Sequence, residues 1–133
     1  MMKRETISTP NAPKSLVYSQ AMKYAGLVFV AGQVAIDPAN GKLVTGNIDI
    51  QTRRVLDNIQ SILKAAGTSL EQSLESLCFL ADMADFSAFN ETYSEYFPND
   101  PPPRTTVQAK LPLEGARIEI RIIAAAPGTQ IVF

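Results

Sequence analysis

An arginine stands directly behind three prolines in "PPPRTTVQ", residues 101–108. Each proline locks φ near about −65° and lacks a backbone N–H, so 101–103 fits neither a helix nor a central strand. A residue that precedes proline is pushed toward extended backbone, which stiffens Asp100, Pro101 and Pro102 in turn. The following "TTVQAKL" is β-branched and then alternating, the pattern of a strand. Arg104 thus sits where a rigid lead-in meets a strand, a place that holds a guanidinium still. Proline runs also end helices, and an arginine beside one is commonly a solvated charge, so the local pattern leaves both readings open.

The rest of the chemistry is bounded by an absence: the 133 residues contain no histidine. Ser–His and Cys–His nucleophile activation are removed, as are imidazole acid–base pairs and most catalytic zinc sites. Carboxylates, Arg, Lys, Tyr, hydroxyls, backbone groups and water remain. The lone cysteine, Cys78, allows no internal disulfide and no thiolate-based zinc site, and its apolar surroundings in "ESLCFLA" read as core. Neither a metal nor a cofactor is expected.

Length and composition, 46% apolar and 19% charged, describe one ordinary domain spanning 1–133. A net charge of −1 without a basic block argues against nucleic-acid or membrane-surface partners. Apolar runs such as "GLVFVAG" are too short to span a bilayer. The opening "MMKRETISTPN" has no apolar stretch behind its basic residues, so no secretory signal and a cytoplasmic location are expected.

The elements that must position Arg104 follow from periodicity. "LVFVAGQVAID" (27–37) reads as a strand ending at Gly32, and "DPANGKLV" as the turn of a hairpin. "IDIQTRRVLDNIQSILKAAG" carries Val55, Ile59, Ile62, Leu63 and Ala66 at helical spacing, with Asn47 or Asp49 as cap and Gly67 just past the end. "LESLCFLADM" is a strand. "DFSAFNETYSEYF" places Phe86, Phe89, Tyr93 and Phe97 on one helical face, capped by Asp85 and stopped by Pro98. "TTVQAKL" and "RIEIRIIAAA" are the last strands, and a short one is expected around "TIS". An α+β sandwich results, two helices on one face of a mixed six-stranded sheet. In the last strand Ile118, Ile120 and Ile122 point one way and Arg117, Glu119 and Arg121 the other. If the isoleucines meet the helices, the opposite face is open, part apolar and part charged, as a subunit interface would be.

Five signatures in order, "YSQA" (18–21), "AGQ" (31–33), "QTRRVLDNI" (51–59), "FLADMADFSAFNETYSEYF" (79–97) and "PPRTTVQAKLP" running into "IEI" (118–120), resemble the RidA family, the YjgF-type enamine/imine deaminases. The resemblance covers nearly the whole chain. It implies a chorismate-mutase-like subunit and a homotrimer whose sheets form a central barrel, with clefts between neighbouring subunits. It also implies hydrolysis of reactive 2-imino and 2-enamino acids such as 2-aminoacrylate to 2-keto acids and ammonia. By motif position Arg104 would hold the substrate carboxylate and Glu119 would position the attacking water, while Tyr18, Gly32, Asn90 and Thr106 would line the cleft. Four positions depart from the usual pattern: Leu16-Val17 replaces Gly-Pro, Ala31 a serine, Thr106 a cysteine, and Arg121 an acidic residue.

The residues suit that chemistry. A guanidinium can grip a carboxylate through two parallel charge-assisted bonds and so fix the plane of the neighbouring imine. One carboxylate then suffices to take a proton from water and return it to departing ammonia. Burial would raise the Glu119 pKa, and Arg104 and Arg121 are expected to offset that rise. On residues alone, Glu119 reads first as an outward charge paired with Arg117 or Arg121, and Asn90 reads also as a boundary amide, Tyr18 as packing, Gly32 as backbone geometry and Thr106 as a backbone contact. A keto-acid binder using the same clamp and an endoribonuclease are the competing functions, the latter disfavoured by the acidic charge balance.

Overall fold

A computed structural model describes residues 2–128. Six strands form one mixed sheet: β1 Glu5–Ile7, β2 Ala21–Tyr24, β3 Leu27–Val30, β4 Ser73–Leu80, β5 Arg104–Gln108 and β6 Ile118–Ala125. Their spatial order is β1-β2-β3-β6-β4-β5, antiparallel throughout except for the parallel pair β4/β5. Helices α1 (Ile48–Ala65) and α2 (Phe86–Tyr96) pack on one face, α2 being the crossover that a parallel β4/β5 pair requires.

The stripe Val55, Leu56, Ile59, Ile62, Leu63 on α1 is fully buried against Ile118, Ile120, Ile122 and Ala124 of β6 and Val28 and Val30 of β3. Asn47 takes the N-cap position without a side-chain cap bond. At the other end Gly67, with φ +83°, lets Thr68 N–H reach the Leu63 carbonyl (2.9 Å) and its own N–H reach that of Lys64 (3.0 Å). That double bond is a Schellman ending, which needs the left-handed residue glycine supplies.

Two buried amides on α1 hold the site-bearing loops. Gln51 donates to the carbonyls of Val44 (3.1 Å) and Gly115 (2.9 Å) and accepts from Arg117 N–H (2.7 Å), tying the segments before α1 and before β6 to one point. Asn58 donates to the Ile36 carbonyl (2.8 Å). A third amide, Gln20, accepts from Thr9 N–H (2.7 Å) and donates to the carbonyls of Thr9, Ala12 and Pro13, fixing the base of the 9–19 loop. Each satisfies backbone groups that a buried loop would otherwise leave unpaired.

Several expectations are corrected. The strand read in 27–37 and expected to end at Gly32 ends at Val30, and beyond it only isolated bridges form, Gln33 with Ile120 and Ile36 with Leu43. The Asp37–Lys42 turn forms, yet it is closed by a single bridge between Ile36 and Leu43. The true hairpin lies earlier: β2 and β3 meet at Ala25 and Gly26, both at positive φ (51° and 80°), as a tight hairpin turn demands. Asp85 makes no cap bond on α2; Asp82 accepts from Ala84 N–H (2.9 Å) on the short 3-10 turn Met83–Asp85 that leads into it. Phe86, expected on one helical face with Phe89, Tyr93 and Phe97, is exposed where Phe89, Tyr93 and Phe97 are buried.

Among the described residues no helix covers the second sheet face. Met22, Tyr24, Leu27, Phe29, Leu77, Phe79, Val107 and Ile123 share it with Glu75, Glu119 and Arg121, by strand register and alternation. Phe29 is 42% exposed there.

Candidate active site

Strand register sorts the expected residues onto two sides of the sheet. Arg104 pairs with Ser76 and Thr106 with Cys78, so both lie on the helix side, with the buried Ser76 and Cys78. Glu119 pairs with Phe79 and shares the open side with Val107. Two strand spacings and three residues of rise separate Arg104 from Glu119, about 10 Å each way, before the opposed side-chain directions are counted. One chain therefore separates the expected site residues into two groups, each one half of the expected site.

The first half-site is a guanidinium in an aromatic box. The Arg104 Cζ lies 4.8 Å from the ring centre of Tyr93, 5.2 Å from Phe89 and 5.7 Å from Phe86. These rings occupy positions 86, 89 and 93 of α2, one helical face, and β5 delivers the cation beneath them. Asn90, on the same helix, accepts from Arg104 Nη2 at 2.7 Å and fixes the rotation of the plane. Among the described residues no carboxylate pairs with Arg104, although Arg53, Arg117 and Arg121 each have one. Held this way, the guanidinium keeps its orientation and retains donors able to bond an anion.

Underneath lies a polar nest. Ser76 Oγ and Cys78 Sγ are 3.4 Å apart, and burial pushes the Cys78 thiol pKa up. The Tyr93 hydroxyl lies beside Ser76 without an aligned hydrogen bond, and burial raises its pKa to about 12, so it stays protonated. Thr106 Oγ1 is buried with no hydrogen-bond partner among the described residues.

The second half-site is Glu119 over Gly32. The backbone bridge between Gln33 and Ile120 (2.9 and 3.1 Å) brings the glycine alongside β6. A Cβ on Gly32 would stand 2.6 Å from Glu119 Oε2 and 3.1 Å from its Cδ. Gly32 was expected for backbone geometry, but its φ lies outside the left-handed region. What requires glycine is the space the carboxylate occupies. Glu119 is half-buried, and burial raises its pKa above the ordinary carboxyl value. The expected offset by Arg104 and Arg121 is not found: Arg104 faces the other side, and Arg121 turns to Glu75 (2.9 Å).

Tyr18 joins neither group. It sits 63% exposed on a loop whose neighbours Leu16 and Val17 are 107% and 90% exposed, beside Lys14 and the start of the chain. A cavity of about 320 Å³ adjoins Arg104 and Asn90. A larger hollow, about 740 Å³, lies under the loop between β5 and β6, and none of the expected site residues lines it. Among the described residues no cluster of three or more His, Cys, Asp or Glu is placed to hold a metal, and no helix is long and apolar enough to cross a membrane.

Sequence reasoning found the aromatic face of α2 but gave it no part in the site. Its spacing was visible, whereas its use as a box for Arg104 depends on β5 lying parallel to β4.

The chain is similar to known proteins over most of its length. The family described as Endoribonuclease L-PSP matches residues 9–126. Reactive Intermediate Deaminase A, chloroplastic, of Arabidopsis thaliana is 45% identical over 92% of this chain and 66% of its own. The 2-iminobutanoate/2-iminopropanoate deaminase of Mus musculus is 38% identical over 91% and 90%. The crystal structure of a putative endoribonuclease from Thermotoga maritima superposes with a TM-score of 0.89 at 40% identity, covering 93% of this chain and 98% of that one. Identity and coverage at this level, together with the matched family, establish that the chain belongs to the Endoribonuclease L-PSP family, the RidA/YjgF group.

Proposed function

We propose that the protein is an imine deaminase that hydrolyses reactive 2-imino and 2-enamino acids to 2-keto acids and ammonia, at a site assembled from two copies of the chain. The observation that carries this reading is the division of Arg104 and Glu119 between opposite sheet faces. One copy supplies Arg104 with Asn90 and Thr106; the next supplies Glu119 over Gly32. The open, largely apolar sheet face and the exposed 16–18 loop, Tyr18 included, are the surfaces on which copies meet, in a closed homotrimer with a chorismate-mutase-like subunit.

The chemistry follows from the groups. Arg104 binds the carboxylate and fixes the imine plane. Glu119 accepts a proton from water as the water oxygen bonds to C2 of the protonated imine and the C=N π pair moves to nitrogen, giving a neutral carbinolamine. Glu119 then returns that proton to the amino nitrogen: the C–N bond breaks, ammonia leaves, the C2 hydroxyl oxygen becomes the keto oxygen, and its proton passes through Glu119 to the departing ammonia. A carboxyl group whose pKa is raised by burial suits both directions of that transfer. Most of the rate gain comes from positioning an already electrophilic carbon.

The family description names an endoribonuclease, but the net charge is −1 and the sequence carries no basic block to attract a phosphate backbone. The test is direct. A serine dehydratase supplies 2-aminoacrylate, and pyruvate release is followed with this protein, with Arg104→Ala, and without either. Acceleration abolished by Arg104→Ala supports the reading. Equal rates in all three eliminate it, and saturable pyruvate binding without acceleration turns the protein into a binder.

A further inference from the structure

One buried side chain ties the exposed 16–18 arm to the Glu119 half of the site. Gln20 is only 6% exposed, and both ends of its amide are spent on the loop before it. Its Oε1 accepts from Thr9 N–H at 2.7 Å, and its Nε2 donates to the carbonyls of Thr9 (3.0 Å), Ala12 (3.0 Å) and Pro13 (2.9 Å). Its own main-chain carbonyl accepts from Ala31 N–H at 2.9 Å, one residue before Gly32. Two residues back along the chain stands Tyr18. The arm and the glycine that makes room for the Glu119 carboxylate therefore diverge from one junction.

Among the described residues, the hydrogen bond formed within 14–19 is Val17 N–H to Ser15 Oγ (3.0 Å), which ties the arm to itself. Its position is thus set at its ends, and Gln20 holds the nearer one. Without that amide the Thr9 N–H and three carbonyls must stay buried and unpaired or open to water, and either way the arm loses its fixed origin.

We propose that Gln20 is a positioning residue of the deaminase: without touching substrate, it holds the 16–18 arm at the Glu119 half-site in the geometry the reaction needs. The inference rests on the two-copy reading of the site, and mixed variants separate the two. Gln20→Met keeps the length of the side chain and deletes its amide bonds. Its kcat/KM for 2-aminoacrylate hydrolysis is expected about 10–100-fold below wild type, at a temperature where a melting curve shows the variant folded. Co-refolded with Arg104→Ala, which damages the other half, it should regain about a quarter of wild-type activity under random assembly. Co-refolded with Glu119→Gln, which damages the same half, it should regain nothing beyond its own residue of activity. A variant that does not fold is replaced by Gln20→Asn, one methylene shorter, in the same mixtures.

Wild-type kcat/KM in the variant overturns the role, because the arm then needs no clamp. Recovery with Glu119→Gln overturns it by putting the damage at the Arg104 half. Recovery with neither, while Arg104→Ala and Glu119→Gln complement each other, overturns it by making the damage a general loss of fold. If that last pair does not complement, the shared site itself fails, and the role at its Glu119 half fails with it.

Discussion

Replacing Gly32 with alanine should damage the chemistry and spare the fold. The new Cβ would lie 2.6 Å from Glu119 Oε2, 3.1 Å from Cδ and 3.4 Å from Cγ, so the contact falls on the far end of a flexible side chain. Ordinary separation is recovered when the carboxylate moves by about 1 Å, a displacement that costs on the order of a hundredfold when the group must aim a water. The backbone has no reason to object, because φ at Gly32 is outside the left-handed region. An unstrained Gly→Ala change restricts the unfolded chain and adds about 0.4–1 kcal/mol of stability. The expected result is therefore a melting temperature equal to or above wild type, with kcat/KM for 2-aminoacrylate hydrolysis about a hundredfold lower. The assay is keto-acid release beside a thermal melt of the same preparation. Wild-type activity would show that the carboxylate over Gly32 does not need its position. A large fall in melting temperature would show that the carboxylate cannot yield as argued.

Arg104→Lys keeps the charge but loses the planar fork, so kcat/KM should fall about 10–100-fold; steady-state kinetics showing lysine and arginine equivalent would refute a fixed fork. Glu119→Gln tests the raised carboxyl pKa. Because the folded pKa lies above the unfolded one, the associated stability is present below the unfolded value and is lost as pH rises through the folded value. At neutral pH the wild type thus carries a half-buried charge that the variant lacks. The variant should melt higher at pH 7, and the difference should shrink toward zero as pH falls through the carboxyl range. A pH-independent difference in melting temperature would contradict burial as the cause.

Much of this architecture is legible in the residues. The 3.6-residue spacing of Val55, Ile59, Ile62 and Leu63 and of Phe89, Tyr93 and Phe97 places both helices. Strict alternation from Ile118 puts Glu119 on the face away from them. The short "AMKY" of β2 offers too few residues for a period, so the first hairpin was sought at Asn40-Gly41, where turn chemistry is louder but only one bridge forms. The side to which Arg104 points was hidden for a different reason. Its strand is read correctly, but its face depends on the register with β4, which the α2 crossover sets. Gly32 was misread because a glycine's reason can lie in a distant side chain, here Glu119, which only the bridge to β6 brings near.

The claim that the site is shared between copies can be measured by mixing two inactive variants. Arg104→Ala and Glu119→Gln, co-refolded in equal amounts, form oligomers in which some junctions pair an intact Arg104 from one copy with an intact Glu119 from its neighbour. Random assembly makes about a quarter of the junctions intact, so about a quarter of wild-type deaminase activity should return in a mixture whose components are each inactive. If the mixture stays as inactive as its parts while sedimenting as mixed oligomers, or if the protein sediments as a monomer with full activity, Arg104 and Glu119 do not act across a junction.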